Sequence, residues 1–181
     1  MARVKLLSDS DVPEQGELLE RIRGARRGRI INVYRLLLHA PSLAGVWFDL
    51  INAVRWKTGL TGRLREILII RVGHATGVAY IVNQHVRNIA LQEGLSQDEC
   101  TALADWSATA LFSVAERAAL HYADEMTRNI TVSDATFAEL RRHFAETAIV
   151  EMSVLVGTYN MHARVLAALQ IDPEPPPDAA G

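Results

Sequence analysis

The chain has 181 residues, of which 49% are hydrophobic, and a net charge of -2. This length suits one domain with a sizeable core, and the charge balance argues against a nucleic-acid or anionic-membrane partner. The single cysteine, Cys100, excludes an intramolecular disulfide and a cysteine-based zinc cage, and it suits a reducing compartment. Because we see neither a signal-peptide stretch nor a run of about 18 apolar residues, we expect a cytoplasmic protein with no membrane span.

The first 29 residues are predicted to form an arm and a short helix outside the main domain. An irregular segment reaches Pro13, and an amphipathic pattern covers about 14–23. A basic stretch from Arg21 to Arg29 overlaps the end of this pattern and contains two glycines. We interpret it as a solvated turn, because a nucleic-acid arm would be expected to have a second basic patch beside it.

Residues 30–171 are predicted to form one all-α helical domain, built from two related helical halves. Proline and glycine punctuate the apolar spacing, and Ser96 and Ser113 each begin a capping box. The predicted helices cover about 30–39, 41–57, 63–74, 78–93, 133–143 and 146–169, and two more begin at the capping boxes. Residues 172–181 include four prolines without an apolar pattern, which predicts a disordered tail.

Glu66 is the first candidate for chemistry. On a helix it shares a face with Ile69 and Ile70, which predicts partial burial of its carboxylate. Burial would raise its pKa and make it a proton acceptor near neutral pH. The alternative is a salt bridge, to Arg63 or to a neighbouring helix.

His85 is the second candidate, since it lies on or beside an apolar stripe with Ile81, Val82 and Ile89. A histidine in such a position is either a catalytic group or a core residue whose hydrogen bonds are satisfied. Tyr80 and Gln84 lie one step around the same helix.

Glu151, Tyr159 and His162 form a third set along one side of the last predicted helix. The alternative for this set is an interface or a polar seam inside the fold, and we favour it for Glu151. Arg71 or Arg87 offers a bidentate partner for a substrate carboxylate, or else a structural ion pair. The histidine spacings predict no metal site, and we interpret Cys100 as structural.

Several segments together resemble the carboxymuconolactone decarboxylase and alkylhydroperoxidase D superfamily. They are 65–77 with Tyr80 and 84–85, then 90–96, 116–120 and 156–164. The resemblance extends from about residue 30 to residue 169. It implies an all-α fold and a homo-oligomer, such as a trimer or hexamer.

The peroxidase branch of this superfamily carries a glutamate, a Cys-x-x-Cys pair and a histidine. Glu66 and His85 match the glutamate and the histidine, but Val78 and Ile81 occupy the cysteine positions. Neither side chain forms a thiolate or a disulfide, and Cys100 lies elsewhere. The resemblance therefore does not imply a thiol peroxidase.

The decarboxylase branch implies a cofactor-independent lyase of aromatic catabolism that removes carbon dioxide from a lactone acid. In that scheme His85 moves the proton, Glu66 orients or activates His85, and Tyr80 donates a hydrogen bond. The substrate-binding candidates are Gln84, Arg71 and His162. One alternative to this lyase is a non-catalytic oligomeric binding module on the same scaffold. The other alternative is residual peroxide chemistry.

Overall fold

The fold is that of a computed structural model, which describes residues 1–26 and 28–175. Regular structure in these residues is helical, without any strand, which confirms the predicted all-α class. The α-helices are α1 (Gly16–Ala25), α2 (Asn32–Leu37), α3 (Pro41–Trp56), α4 (Gly62–Thr76), α5 (Ala79–His85), α6 (Gln97–Ala102), α7 (Val114–Arg128), α8 (Asp134–His143) and α9 (Glu146–Leu169). Short 3-10 turns cover Asp9–Asp11, Pro13–Gln15 and Leu103–Ala108.

The described residues divide into two compact units, one of residues 1–26, 28–53 and 166–175 and the other of residues 54–165. The predicted limits at 29/30 and 171/172 stay predictions. In the first unit, Asp172 accepts a hydrogen bond from the Ala2 amide, and Glu174 accepts one from the Asn32 amide. The start of the predicted disordered tail is thus hydrogen-bonded, and residues 176–181 lie outside the described residues.

The basic stretch predicted as a turn is helical at its start. α1 continues through Gly24 to Ala25, where Arg23 pairs with Glu20 one turn earlier at 2.6 Å. Such a pair stabilises the last helical turn. Arg27, in the rest of the stretch, lies outside the described residues.

α4 is the central helix of the second unit. Its ten consecutive residues 64–73 are all buried, as expected of a helix surrounded by protein, and it packs against α5 and α7. Thr61 caps its start by accepting a hydrogen bond from the Leu64 amide, and Gly77, at φ +70°, ends it. This burial places Glu66 and Arg71 inside the unit.

The predicted helix over 78–93 is wrong in its second half. α5 ends at His85, a π-helix follows over Val86–Ala90, and the segment ends at Gly94 with φ +89°. Val86 and Ala90, at the two ends of the π-helix, both pack on the core of the unit. Apolar spacing does not distinguish this wider turn from an α turn, and π-helical turns occur often at functional sites.

Gly73 sets the close approach of α4 to α5. A Cβ atom there would lie 2.8 Å from the Val82 Cγ2 atom and 3.2 Å from the Ile81 Cγ2 atom. We expect Gly73→Ala to lower the free energy of unfolding by about 1–3 kcal/mol, because the two helices must separate. Denaturant unfolding measures this change. Gly24→Ala, where an added Cβ meets nothing within 4 Å, is the control, and equal stability of the two variants would contradict the expectation.

Arg63 joins the starts of three helices. Its guanidinium pairs with Glu99 at 2.5 Å and with Glu116 at 2.7 Å. These glutamates belong to the capping boxes of α6 and α7, which confirms both predicted boxes. Arg63 is therefore not the partner of Glu66.

This cluster predicts an acid-dependent loss of stability. The Arg63 guanidinium lowers the pKa of Glu99 from its ordinary 4.5 to about 2. A folded-state pKa below the unfolded value stabilises the fold above about pH 4.5, and this contribution is lost as the pH falls towards 2. We expect Arg63→Gln to reduce the change in melting temperature over that interval, whereas the exposed control Arg128→Gln keeps it. An unchanged pH dependence in Arg63→Gln would contradict this assignment.

Candidate active site

Glu66 and His85 form a buried pair in the second unit. Glu66 projects from the middle of α4 and is 0% exposed, and His85 is 6% exposed at the end of α5. The Glu66 Oε2 atom lies 2.5 Å from the His85 Nδ1 atom. The two residues that the sequence singled out first are thus in direct hydrogen-bond contact.

Tyr159 of α9 contacts the other nitrogen of the same imidazole. Its hydroxyl lies 3.2 Å from the His85 Nε2 atom. The two rings pack edge to face, with their centroids 5.4 Å apart. His162 follows one turn later on α9, with its ring 5.7 Å from that of Tyr159. α9 therefore brings two members of the third candidate set to the Glu66–His85 pair.

Two arginines lie around the carboxylate end of the pair. The Arg65 Nε atom donates to the Glu66 Oε1 atom at 3.2 Å, and its NH2 group lies 2.9 Å from the Glu93 Oε1 atom. Arg55, in the last turn of α3, is also buried. Both guanidinium groups rest on the Trp56 ring. The distance from the guanidinium carbon to the ring centroid is 4.5 Å for Arg55 and 4.4 Å for Arg65.

The charges around Glu66 overturn the predicted direction of its pKa. Burial alone raises the pKa, but His85 and the two cations Arg55 and Arg65 outweigh burial and lower it. The prediction of a raised pKa was wrong because it counted desolvation without these cations. Burial lowers the pKa of His85, and Arg55 and Arg65 lower it further, which together outweigh the opposing effect of Glu66.

These directions fix the protonation states at neutral pH. Glu66 is an ionised carboxylate and His85 a neutral imidazole. The carboxylate accepts the Nδ1 proton, so the Nε2 lone pair faces the Tyr159 hydroxyl. Such an arrangement can accept a proton at Nε2 while the Glu66 carboxylate stabilises the resulting imidazolium.

Tyr80 and Gln84 lie on α5 with His85. Tyr80 is buried near the start of the helix. Gln84 is half-buried, and its backbone carbonyl accepts a hydrogen bond from the Asn88 side chain at 2.8 Å. Their predicted roles, a hydrogen-bond donor and a substrate contact, remain predictions.

All three guanidinium nitrogens of Arg71 donate hydrogen bonds within the protein. Its Nε and NH2 groups donate to the two carboxylate oxygens of Asp124 at 2.5 and 2.9 Å. Its NH1 group donates to the carbonyls of Leu103 and Ala104. This arrangement favours the structural ion pair over the predicted contact with a substrate carboxylate.

Glu151 and Cys100 have structural surroundings. Both Glu151 carboxylate oxygens lie 3.0 Å from the Gly59 amide nitrogen, which donates to them between α3 and α4. Cys100 is buried in the core of the second unit, and burial raises the pKa of its thiol. A buried thiol with a raised pKa is a poor nucleophile, in line with its predicted structural role.

The sequence contained a signal for Arg55 that we did not use. Ala44, Phe48, Ile51 and Arg55 follow one another at helical spacing, and all are buried on α3. A charged residue that continues an apolar stripe is a candidate functional group. Tyr159, by contrast, was placed in a separate set, because helical spacing does not show which helices meet.

Metal and membrane sites were also sought among residues 1–26 and 28–175. In these residues no three histidine, cysteine or acidic side chains lie together as a metal site requires. None of the helices described there is long and apolar enough to cross a membrane.

Comparison with known proteins identifies the family. The model of the carboxymuconolactone decarboxylase family matches residues 41–125. The uncharacterized protein YnjA of Escherichia coli is 31% identical over 157 residues, which cover 86% of this chain and 80% of YnjA. The match to YnjA thus extends well beyond the segment that the family model covers.

Two solved structures share the fold. A peroxidase-related protein from Silicibacter sp. TM1040 has a TM-score of 0.82 and 20% identity, with coverage of 96% of this chain and 92% of that protein. A variant of the debrominase Bmp8 in complex with 2,3,4-tribromopyrrole has a TM-score of 0.80 and 22% identity, with coverage of 99% and 97%. With the family match and the YnjA relative, we conclude that this chain belongs to the carboxymuconolactone decarboxylase family.

Proposed function

We propose that this chain is a cofactor-independent enzyme that acts on a small organic acid or lactone through a proton relay of Glu66, His85 and Tyr159. The observation that carries the proposal is the continuous line of contacts between them, 2.5 Å from carboxylate to imidazole and 3.2 Å from imidazole to phenol hydroxyl. The imidazole has a proton donor on one side and a carboxylate on the other, which is the requirement for general acid–base catalysis.

The proposed reaction is a decarboxylation. The bond between the carboxylate carbon and its neighbour breaks, carbon dioxide leaves, and the electron pair moves into the conjugated lactone carbonyl. The His85 Nε2 atom first takes up a proton from solvent, and Glu66 stabilises the imidazolium that forms. The imidazolium then passes this proton through the Tyr159 hydroxyl to the substrate carbon and returns to the neutral state, so one solvent proton is consumed for each carbon dioxide released.

The structural relatives support a small-molecule enzyme over a non-catalytic module. Bmp8 is a debrominase with a small halogenated ring bound, on the fold that this chain shares.

Thiol peroxidase chemistry is disfavoured by the residues present. Val78 and Ile81, at the positions of the peroxidase cysteines, are both buried and carry no thiol. Cys100 lies in the core with a raised pKa. Neither arrangement supplies the thiolate that attacks a peroxide.

The test is carbon dioxide release and lactone consumption with a panel of carboxylated lactones. We expect wild-type protein to turn over at least one of them and His85→Ala to lose that activity. His121→Ala, at an exposed histidine of α7, is the control and should retain wild-type turnover. No turnover by folded wild-type protein, or equal turnover by His85→Ala, would contradict the proposal.

A further inference from the structure

Arg55 is a buried cation that forms no direct ion pair among the described residues. Its side chain is 6% exposed, and its Nε atom has no hydrogen-bond partner among the described residues. The Glu66 oxygens contact His85 and Arg65, and Arg55 acts on this carboxylate through its charge rather than through a hydrogen bond. The Arg55 guanidinium rests on the face of the Trp56 ring.

This arrangement lowers the stability of the protein when no ligand is bound. A guanidinium stays charged at any ordinary pH, and a buried N–H donor without an acceptor, such as the Arg55 Nε–H, lowers stability. The Trp56 ring attracts the cation but accepts no N–H hydrogen bond in the plane of the guanidinium. The two oxygens of a carboxylate would accept hydrogen bonds from N–H groups in that plane, in a bidentate contact.

Arg55 interacts electrostatically with residues of the relay. Its positive charge contributes to lowering the pKa of both Glu66 and His85. Arg65, which shares the Trp56 ring with Arg55, contacts Glu66 directly, so a ligand anion on Arg55 would lie in the surroundings of the relay. Trp56, which is 50% exposed, offers a flat surface beside the guanidinium.

We propose that Arg55 binds the carboxylate of a small, planar organic acid, with the Trp56 ring as one wall of the site, and this inference rests on the proposed function of the relay. It identifies the group of the substrate that is recognised and the residue that recognises it. Arg71, which the sequence offered for this role, has its donors occupied by Asp124 and two carbonyls.

A structural role for Arg55 makes a different prediction. Arg55 lies in the last turn of α3, where any cation interacts favourably with the helix dipole. Lysine would serve that role as well as arginine. It cannot supply the bidentate fork that holds a carboxylate, so Arg55→Lys separates the two roles.

The experiment measures binding by titration calorimetry in a carboxylate-free buffer. The probes are benzoate and 2-furoate, each compared with its neutral amide. We expect wild-type protein to bind at least one carboxylate about tenfold or more tighter than its amide, and Arg55→Gln to lose about 30-fold or more of that affinity. Arg55→Lys should bind weakly while keeping the wild-type melting temperature. Arg128→Gln, which removes an equal but exposed charge, should bind as wild type does.

Two results would overturn the inference. One is that no carboxylate binds wild-type protein more tightly than its amide. The other is that Arg55→Lys, folded by circular dichroism, binds the carboxylate as tightly as wild type does, which also covers the case in which Arg55→Gln does not fold.

Failure of the inference and failure of the proposed function are distinguishable. His85→Ala should still bind the carboxylate, because the binding residue is Arg55. Carboxylate binding that depends on Arg55, without turnover of any lactone, would refute the proposed function alone. Turnover that needs His85 but is unaffected by Arg55→Lys would refute the carboxylate site alone.

Discussion

Glu66→Gln is expected to reduce kcat/KM by about 10²–10⁴-fold on any lactone that the wild-type protein turns over. The amide removes the negative charge that stabilises the His85 imidazolium. Its NH2 group can also donate to the Nδ1 atom, which would force the proton of the neutral imidazole onto Nε2. Steady-state kinetics of folded protein measure the change.

The matched control is Glu139→Gln on α8. Glu139 is an exposed glutamate that pairs with Arg142 and His143, so it tests the loss of one charge without the relay. Its kcat/KM should equal that of wild type. A Glu66→Gln variant that folds and retains kcat/KM within about threefold would remove the carboxylate from the mechanism.

Asp124→Ala is expected to lower the free energy of unfolding by about 3–5 kcal/mol. The substitution leaves the Arg71 guanidinium, 5% exposed, without its anion in the core of the second unit. It also removes the acceptor of the Trp106 indole N–H, which donates to Asp124 at 3.0 Å. Denaturant unfolding followed by circular dichroism measures the loss.

An exposed ion pair supplies the contrast for this measurement. Glu139→Ala breaks the pair with Arg142, whose side chains are 43% and 74% exposed. Such pairs contribute about 0–1 kcal/mol, so this variant should remain close to wild type. If Asp124→Ala and Glu139→Ala lower the free energy of unfolding by similar amounts, the Arg71–Asp124 pair does not stabilise the core as described.

The helix boundaries that depend on local chemistry could be predicted from the sequence. The capping boxes at Ser96 and Ser113 begin α6 and α7, and Gly77 ends α4 in the left-handed conformation. Caps involve residues three or four apart, so the sequence contains all the information they need. The π-helix over Val86–Ala90 was missed, because its wider turn depends on packing against the core.

The candidate site was predictable only in part. Glu66 and His85 followed from their apolar neighbours and from the family resemblance, and the structure brings them together. Tyr159 lies 74 residues from His85 in sequence, and only the packing of α9 shows that they touch. The pKa of Glu66 was predicted in the wrong direction because His85 and Arg55 reach it through tertiary contacts, to which the neighbouring Arg65 adds.

The central claim is that His85 is a neutral imidazole with its proton on Nδ1, held by an ionised Glu66. Nitrogen-15 NMR of the imidazole ring across a pH titration tests it most directly, because the two nitrogens report protonation and tautomer separately. The account predicts an Nδ1–H tautomer at pH 7, and a His85 pKa below the ordinary 6.5. A doubly protonated ring at pH 7, or a proton on Nε2 instead of Nδ1, would contradict the relay.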